Sequence, residues 1–357
     1  MRLRDYVLSA LEDAAGESVS GEALARSYGV TRAAVWKAVD RLRKSGCPIT
    51  GFCGAGSQSG GGGYVLDPSY DPLDARRISA ALKALEPASG GAAYCLPDES
   101  RLYVFSEIES TNTWAKKQAA EKGETLHGTV FLAERQTAGH GRLGRPFFSP
   151  ASGLYLSIVF CPRGPINPAH FTAAAAVAVC MALGDLYNAD CRIKWVNDIF
   201  LKGKKVCGIL CEGIGGLETG RVEAVVAGIG INLREPSGGF PPEIAHVAGA
   251  VLTEAASAGW LIPTRRNELA AAVIRYALKF FSDENLRPAM LEEYRRRSLI
   301  LGREVTVHPL AGVSADGEDG SYRARAVAIT DDAALVVQTP DGGQRVLQAG
   351  EVSLGVH

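Results

Sequence analysis

The sequence lacks several patterns that would place it in a common protein class. No GxxxxGK[ST] stretch occurs, so there is no P-loop. The longest apolar run, Phe171 to Leu183, is shorter than the roughly 20 residues that a membrane span needs. The net charge is only −1, which argues against a wholly electrostatic nucleic-acid binder but leaves room for a local basic face.

The start of the chain and the cysteines exclude further classes. Arg2, Arg4 and Asp5 precede only an amphipathic helix, so no signal peptide is predicted and a cytoplasmic protein is expected. The 8 cysteines contain no CxxC pair and mostly lie among apolar residues, which predicts buried reduced thiols. Metal ligation by Cys207 and Cys211 is the weaker alternative, because both lie in an apolar strand with no histidine near.

The 357 residues, 46% hydrophobic and 22% charged, predict two or three globular domains. Residues 1–66 show a winged helix-turn-helix pattern. Ser20 caps a helix over 21–27, Gly29 makes the turn, Thr31 caps a helix over 32–45, and wing strands follow over 49–52 and 63–66 around a glycine-rich tip. The candidate DNA-binding residues on and before the second helix are Thr31, Arg32, Trp36, Lys37 and Arg41, with Arg43 on the same outer face. The alternative is a helical docking module that never touches nucleic acid.

Strands and helices then alternate over residues 67–297, which predicts an α/β (α+β) domain with a mixed sheet. The long helix in its second half is predicted over 264–281. Residues 298–357 are predicted to be all-β, with four strands separated by Asp-Asp and Asp-Gly-Gly turns. A small SH3-like barrel is expected there.

The most informative segment is Gly139-His140-Gly141-Arg142-Leu143-Gly144-Arg145, about fifty residues before Lys194-Trp195-Val196-Asn197-Asp198. Glycines let the backbone fold closely over a ligand, and arginines present planar charged forks to carboxylate or phosphate oxygens. Lys194 adds a third cation. The pattern predicts a site for a small anionic ligand and a nucleotide; the alternative is a plain hairpin or surface turn.

With these motifs the chain resembles the bifunctional biotin–protein ligases that also serve as biotin operon repressors. The loop of that family reads GRGRxGR and its lysine motif reads KWPND, where this chain has GHGRLGR and KWVND. The resemblance covers nearly the whole chain, and the further matching segments are 110–112, 136–139, 205–212 and 228–232. His140 and Val196 depart from the family pattern.

The resemblance implies a role for each matched residue. The catalytic residues implied are Arg142, Arg145 and Lys194. The biotin-binding residues implied are Ser110, Thr111, Asn112, Gln136, Gly139, His140, Gly141, Arg142 and Lys194. The ATP-binding residues implied are Arg142, Arg145, Lys194 and Asn232, and Asp198 is the candidate Mg²⁺ ligand. Two plainer alternatives stay open: 110–112 as a helix N-cap cluster, and Asn197-Asp198 as a simple turn. His127, His170, His246 and His308 are expected to be structural or surface residues.

The function implied is an ATP- and Mg²⁺-dependent ligase. It would form biotinyl-5′-adenylate, transfer biotin to a lysine of a biotin carboxyl carrier domain, and repress biotin genes as an adenylate-bound homodimer on operator DNA. The alternatives are a lipoate-type ligase, a biotin-sensing repressor with an inactive ligase site, and a working ligase whose wing no longer binds an operator.

Overall fold

A computed structural model describes residues 2–14, 16–44, 47–52, 62–67, 70–85, 96–162, 164, 166–215, 222–253, 264–308 and 320–354. The chain divides into two compact units, Met1–Pro72 with Glu254–Thr264, and Leu73–Thr253 with Arg265–His357. Most of the predicted wing tip (54–61), together with Cys53 and Cys95, lies outside the described residues.

The first unit is a helix-turn-helix followed by a small sheet. Its elements are α1 (Leu3–Asp13), β1 (Val19–Ser20), α2 (Gly21–Ser27), α3 (Arg32–Lys44), β2 (Ile49–Phe52) and β3 (Gly63–Leu66). The strands pair in the order β1-β3-β2, all antiparallel. The predicted wing strands are confirmed, and β1 joins them as a third strand that was not predicted.

The predicted caps of the first unit are confirmed. The Ser20 hydroxyl accepts hydrogen bonds from the amides of Glu22 and Ala23 at 3.3 and 3.4 Å, and the Thr31 hydroxyl accepts one from Ala34 at 3.2 Å. Gly29 makes the turn with a φ of +64°, where a side chain would be strained. These local signals place α2 and α3 because each cap satisfies an amide that the helix itself leaves free.

The first part of the second unit is an α/β domain. Its elements are α4 (Ala75–Ala84), β4 (Leu102–Phe105), α5 (Thr111–Lys122), β5 (Val130–Ala133), β6 (Leu154–Phe160), α6 (Pro168–Tyr187), β7 (Arg192–Lys194), β8 (Asp198–Leu201), β9 (Lys204–Gly215), β10 (Val222–Ile231), α7 (Pro242–Ala245), α8 (Arg266–Ser282) and α9 (Arg287–Arg296). The strands form one sheet in the order β4-β5-β6-β10-β9-β8-β7. Strands β4 and β5 are parallel and the other described pairs are antiparallel, so the predicted mixed sheet is confirmed.

Both faces of this sheet are covered. One large core joins it to α6, α8 and α9, and all seven residues of β6 are buried. A second cluster packs α5 on the sheet through Ala115, Ala119 and Val159. Helix α6 is long and apolar enough, by length and composition alone, to span a membrane, but it is mostly buried in the core, as the central helix of a globular domain is.

The end of the chain forms a separate sheet within the second unit. Its strands are β11 (Glu304–His308), β12 (Tyr322–Ile329), β13 (Leu335–Gln338), β14 (Gln344–Leu347) and β15 (Glu351–Leu354). They pair antiparallel in the order β14-β13-β12-β11-β15. The all-β prediction is confirmed. Within the described residues the edge strands β14 and β15 do not pair with each other, so an SH3-like barrel stays a prediction.

Two strands and one helix start differ from the sequence predictions. Strand β8 begins at Asp198, where a simple turn was the alternative, and β15 lies in a segment to which no strand was assigned. Helix α8 begins at Arg266 rather than at Thr264, because Arg265 has the left-handed φ of +50°. Short strands next to turns carry too few residues to show a period-2 pattern, which explains why β8 and β15 were missed.

Candidate functional site

A cavity of about 340 Å³ lies in the second unit, between the β7–β10 edge of the large sheet and strand β15. Its volume is in the range of small-molecule sites. Most of the predicted site residues line it: Ser110, Thr111, Asn112, Gln136, His140, Gly141, Arg142, Arg145, Lys194 and Asp198. Residues up to 88 positions apart in the sequence, from Ser110 to Asp198, are therefore brought together.

The start of α5 forms one polar wall. The Ser110 hydroxyl caps the helix by accepting from the amide of Thr113 at 3.3 Å. The Gln136 side-chain oxygen accepts from the amide and the hydroxyl of Thr111 at 2.8 and 3.1 Å, and its nitrogen donates to the Ser149 hydroxyl at 3.0 Å. The N-cap reading of this segment is thus correct, and it coexists with a place in the pocket wall.

Asn112 is held by a partly buried hydrogen-bond network that could not be predicted from the sequence. Its amide nitrogen donates to one Glu212 oxygen at 2.5 Å, and Lys116 pairs with the other at 2.7 Å. Its amide oxygen accepts from the Ser157 hydroxyl at 3.1 Å. A Cβ on Gly228 would collide with that amide oxygen, so any larger residue there would displace Asn112. Glu212 therefore fixes which way the amide of Asn112 points.

A pair of glycines on neighbouring strands lies beneath the cavity. Gly208 of β9 and Gly230 of β10 are register partners, and a Cβ on either would lie 3.0 or 2.6 Å from the Phe147 ring. The ring of Phe147 therefore lies directly on the sheet and lines the cavity as an apolar surface. Phe147 was missed; the signal for it was the alternating glycines of Gly228-Ile229-Gly230, which leave room on one face of a strand. We call Gly208, Gly228, Gly230, Phe147 and Lys194 the pocket floor.

Residues 139–145, the ligand loop, cover the other side. The amide of Gly141 donates to the carbonyl of Arg145 at 2.8 Å, and Arg142–Gly144 form a tight turn with Leu143 at a φ of +58°. Gly139 does not line the cavity, but a Cβ there would lie 2.5 to 2.9 Å from Ser149, Phe147 and Gln136. The absence of a side chain at Gly139 thus lets the loop pack closely against the polar wall.

Four cations and two carboxylates line the cavity, which leaves it positive. Arg145 and Glu351 of β15 form a two-pronged ion pair with nitrogen–oxygen distances of 2.7 and 2.8 Å. Lys205 pairs with Asp198 at 2.6 Å. Arg142 and Lys194, in contrast, have no ion pair or side-chain hydrogen bond with any described residue. These two cations are available to an anionic ligand.

Lys194 stands at the end of β7, where it is the register partner of Asp198. Burial lowers the pKa of its ammonium, and the nearby carboxylate of Asp198 partly opposes that shift. A desolvated ammonium without a direct partner gains more from an incoming anion than an exposed one does. The strand is fixed from the other side, because the amide of Ile193 donates to the carbonyl of Arg297 at 2.8 Å.

His308 and Asn232 differ in their position relative to the cavity. His308, expected to be structural or at the surface, lines the cavity, although its two ring nitrogens are engaged by Ser321 and Ser353 at 2.8 Å each. Asn232 does not line the cavity, and its side-chain amide donates to the carbonyl of Gly249 at 3.1 Å. Its adenosine contact stays a prediction.

The donor set for a magnesium ion is poor. Asp198 is the predicted ligand, and it already forms an ion pair with Lys205. Among the described residues, no three His, Cys, Asp or Glu side chains lie close enough together to hold a metal ion. Cys207 and Cys211 therefore belong to no such cluster. Cys47, Cys161, Cys180, Cys191 and Cys207 are buried free thiols, as predicted.

In the first unit, the predicted DNA-binding residues Thr31, Arg32, Trp36, Lys37 and Arg41 are all exposed. Arg43 differs from them, because its Nε donates to the carbonyl of Ile49 at 2.8 Å and so joins α3 to the wing.

Comparison with known proteins agrees with these features. Residues 104–232 match the biotin/lipoate A/B protein ligase family, residues 4–56 an HTH domain, and residues 312–355 the biotin protein ligase C-terminal domain. The bifunctional ligase/repressor BirA of Escherichia coli (strain K12) is 32% identical over 284 residues, which cover 76% of each chain. The chain belongs to the bifunctional biotin ligase/repressor family.

Other members of this family match over nearly the full length. The bifunctional ligase/repressor BirA of Bacillus subtilis (strain 168) is 28% identical over 355 residues, 99% of both chains. Among solved structures, the biotin protein ligase from Aquifex aeolicus in complex with biotin and ATP is 26% identical with a TM-score of 0.55, covering 71% of this chain and 98% of that one.

Proposed function

We propose that this protein is an ATP-dependent biotin–protein ligase that also acts as a biotin-responsive repressor. The single observation that carries the ligase proposal is the pairing state of the pocket cations. Arg142 and Lys194 point to a ligand because neither forms an ion pair or a side-chain hydrogen bond with a described residue, whereas Arg145 and Lys205 are already paired.

The chemistry follows from what such a site can do. A biotin carboxylate oxygen attacks the α-phosphorus of ATP, a new P–O bond forms, and pyrophosphate leaves with the electrons of the broken bond. Negative charge concentrates between the two anions as they approach. Arg142 and Lys194 would stabilise that charge in a partly desolvated pocket, where electrostatic interactions are strongest.

Biotin itself offers an apolar bicycle and a polar ureido group. Phe147 would contact the bicycle, and Ser110, Thr111 and Gln136 are the neutral polar groups placed to meet the ureido ring. Gly139, His140 and Gly141 would close over the bound acid and exclude water from the adenylate. Asn112, fixed by Glu212, completes this wall.

In the second step the acceptor lysine of a biotin carboxyl carrier domain attacks the acyl carbon of the adenylate. A C–N bond forms, the acyl C–O bond breaks, AMP leaves, and the amine loses a proton. Magnesium would be held largely by the phosphates of the nucleotide, with Asp198, the ion-pair partner of Lys205, as the candidate carboxylate ligand in the cavity lining.

The helix-turn-helix supports the second activity. Operator binding would use Thr31, Arg32, Trp36, Lys37 and Arg41, with the adenylate-bound protein acting as a homodimer. In this proposal residues 1–66 form the DNA-binding domain, 67–297 the catalytic domain and 298–357 a C-terminal SH3-like domain, in a cytoplasmic protein.

Biotin-dependent exchange of labelled pyrophosphate into ATP tests the ligase proposal, with lipoate as the control acid. Exchange with biotin and not with lipoate is expected. Equal exchange with lipoate would favour a lipoate-type ligase, and no exchange with either acid would favour a sensor with an inactive site.

A further inference from the structure

Trp36 is the one large apolar side chain on an otherwise polar face of α3. The buried stripe of this helix is Val35, Ala38, Val39 and Leu42, which form the core of the first unit. Trp36 lies outside that stripe and is 55% exposed. The helix therefore does not need this indole in order to fold.

The surroundings of Trp36 are cationic. Positions 32, 33, 36, 37 and 41 share one side of the helix by their spacing of three and four residues. Within the described part of the first unit, no carboxylate pairs with Arg32, Lys37 or Arg41. Other basic side chains of the unit do have partners, as in Arg26 with Glu22 at 3.2 Å and Lys44 with Asp40 at 2.8 Å.

This contrast indicates what covers the face. Basic side chains without carboxylate partners around one apolar group are complementary to double-stranded DNA, whose negatively charged phosphates flank the major groove. Inside that groove the apolar group presented by the base pairs is the C5-methyl of thymine. The first residues of the second helix in a helix-turn-helix are those that reach the base edges, and Trp36 is the fifth residue of α3.

We propose that Trp36 recognises thymine in the operator by packing its indole against the C5-methyl group, while Arg32, Lys37 and Arg41 hold the flanking backbone. This rests on the proposed operator binding and assigns a base to one side chain. Exposed Ala33, one turn before Trp36, leaves space beside the indole for the base pair. Because the contact is apolar, its contribution to affinity is expected to be nearly independent of salt, unlike that of the three cations.

The test starts from random duplex DNA selected with the full-length protein in the presence of biotin and ATP. The wild-type protein is expected to select thymine at one or two positions of each half-site. Trp36→Ala should lose the preference at those positions alone, with at least tenfold weaker binding to the wild-type site, and Trp36→Phe should keep part of it. Lys37→Ala is the matched control, expected to weaken all sequences alike and to lower the salt dependence of binding.

A second measurement isolates the methyl group. Deoxyuridine replaces thymidine at the selected position, which removes the methyl and keeps the hydrogen-bonding edge. Wild-type affinity should fall about fourfold, the value expected from the burial of one methyl group, and the affinity of Trp36→Ala should not change. Circular dichroism of Trp36→Ala checks that this exposed substitution leaves the fold intact.

Three results would overturn the proposal. Trp36→Ala could select the same sequence with unchanged affinity, or deoxyuridine could weaken both proteins equally; either would leave operator binding standing and remove Trp36 from base recognition. If no sequence is selected from the pool, the proposed operator binding fails and this assignment fails with it.

Discussion

The two sides of the cavity are built in different ways. The pocket floor lies on the sheet, where Gly228 and Gly230 leave room for Asn112 and Phe147, side chains that a Cβ at either glycine would push away. The ligand loop is more exposed, and its Arg145 is held by a side-chain pair with Glu351. The difference teaches that binding geometry is set by core packing on one side and by exchangeable ionic contacts on the other.

A consequence for catalysis follows. A preorganised floor can stabilise developing charge without rearranging, whereas the more exposed ligand loop, whose Arg145 is held by an ion pair that can dissociate, can open and close around substrate. We expect the floor to determine the rate of adenylation and the loop to determine how long the adenylate survives.

The largest effect is expected for Lys194→Ala. The floor would lose its unpaired cation, and biotin-dependent pyrophosphate exchange should fall on the order of 100- to 1000-fold. Lys194→Arg is the matched control and keeps the charge in a larger group. Thermal unfolding should change little, because Lys194 has no ion pair with a described residue that could be lost. Retention of more than a tenth of the exchange rate by Lys194→Ala would remove it from the chemistry.

The two arginines of the ligand loop should differ. Arg142→Ala is expected to lower kcat/KM for ATP on the order of 100-fold, since Arg142 has no carboxylate partner among the described residues. Arg145→Ala should cost on the order of 10-fold, because Arg145 must first leave Glu351. Steady-state kinetics of both variants measure the ratio. A larger loss for Arg145 would reverse the assignment of the two side chains.

Alanine substitutions at two glycines of the ligand loop should have different effects on stability, because only one of the two glycines is closely packed. A Cβ at Gly139 would lie 2.5 Å from the Ser149 hydroxyl, whereas one at Gly141 would meet nothing closer than 3.9 Å. Gly139→Ala is therefore expected to lower the free energy of unfolding by about 1–3 kcal/mol and to raise the KM for biotin. Gly141→Ala should stay within about 0.5 kcal/mol of wild type. Chemical denaturation of both variants measures these free energies of unfolding, and equal losses would contradict the close packing proposed at Gly139.

These examples show how far the sequence reached. The cations and glycines of the loop, the caps of α2, α3 and α5, and the mixed sheet could be predicted because they depend on local chemistry and periodicity. Glu351 and His308 could not, since each reaches the cavity through a pairing between distant strands. Glu212 could not either, because its bond to Asn112 joins residues 100 positions apart, and Phe147 had only the indirect signal of the alternating glycines in β10. Glu351 shows this best: it lies 206 positions from Arg145 and on a strand too short to be recognised.

The smallest effect is expected for Glu293, which binds Arg297 and through it contacts the segment just before β7. Hydrogen bonds from Arg296 and then from Arg297 lower the pKa of Glu293 from 4.5 to about 2, and Arg297 also donates to the carbonyl of Cys191, just before β7. Because the pKa in the folded state is the lower one, this stabilisation is present above about pH 4.5 and is lost as the pH falls towards 2.

Glu293→Gln should therefore lower the free energy of unfolding at neutral pH by no more than about 1 kcal/mol, since the group is partly solvated. It should also flatten the acid limb of the stability curve between pH 4.5 and 2. Urea unfolding across that range measures both, with Glu284→Gln as the control at a more exposed ion pair of the same region. If the acid limb of the stability curve is unchanged in Glu293→Gln, ionised Glu293 does not stabilise the folded protein.

The contrast between a fixed floor and a closing loop is tested most directly by amide hydrogen exchange with and without biotin and ATP. Amides of residues 139–145 should exchange fast in the free protein and become strongly protected on binding, while those of β9 and β10 should be protected in both states. A loop that is already protected without ligand, or a floor whose protection rises as much as that of the loop, would contradict this division of roles.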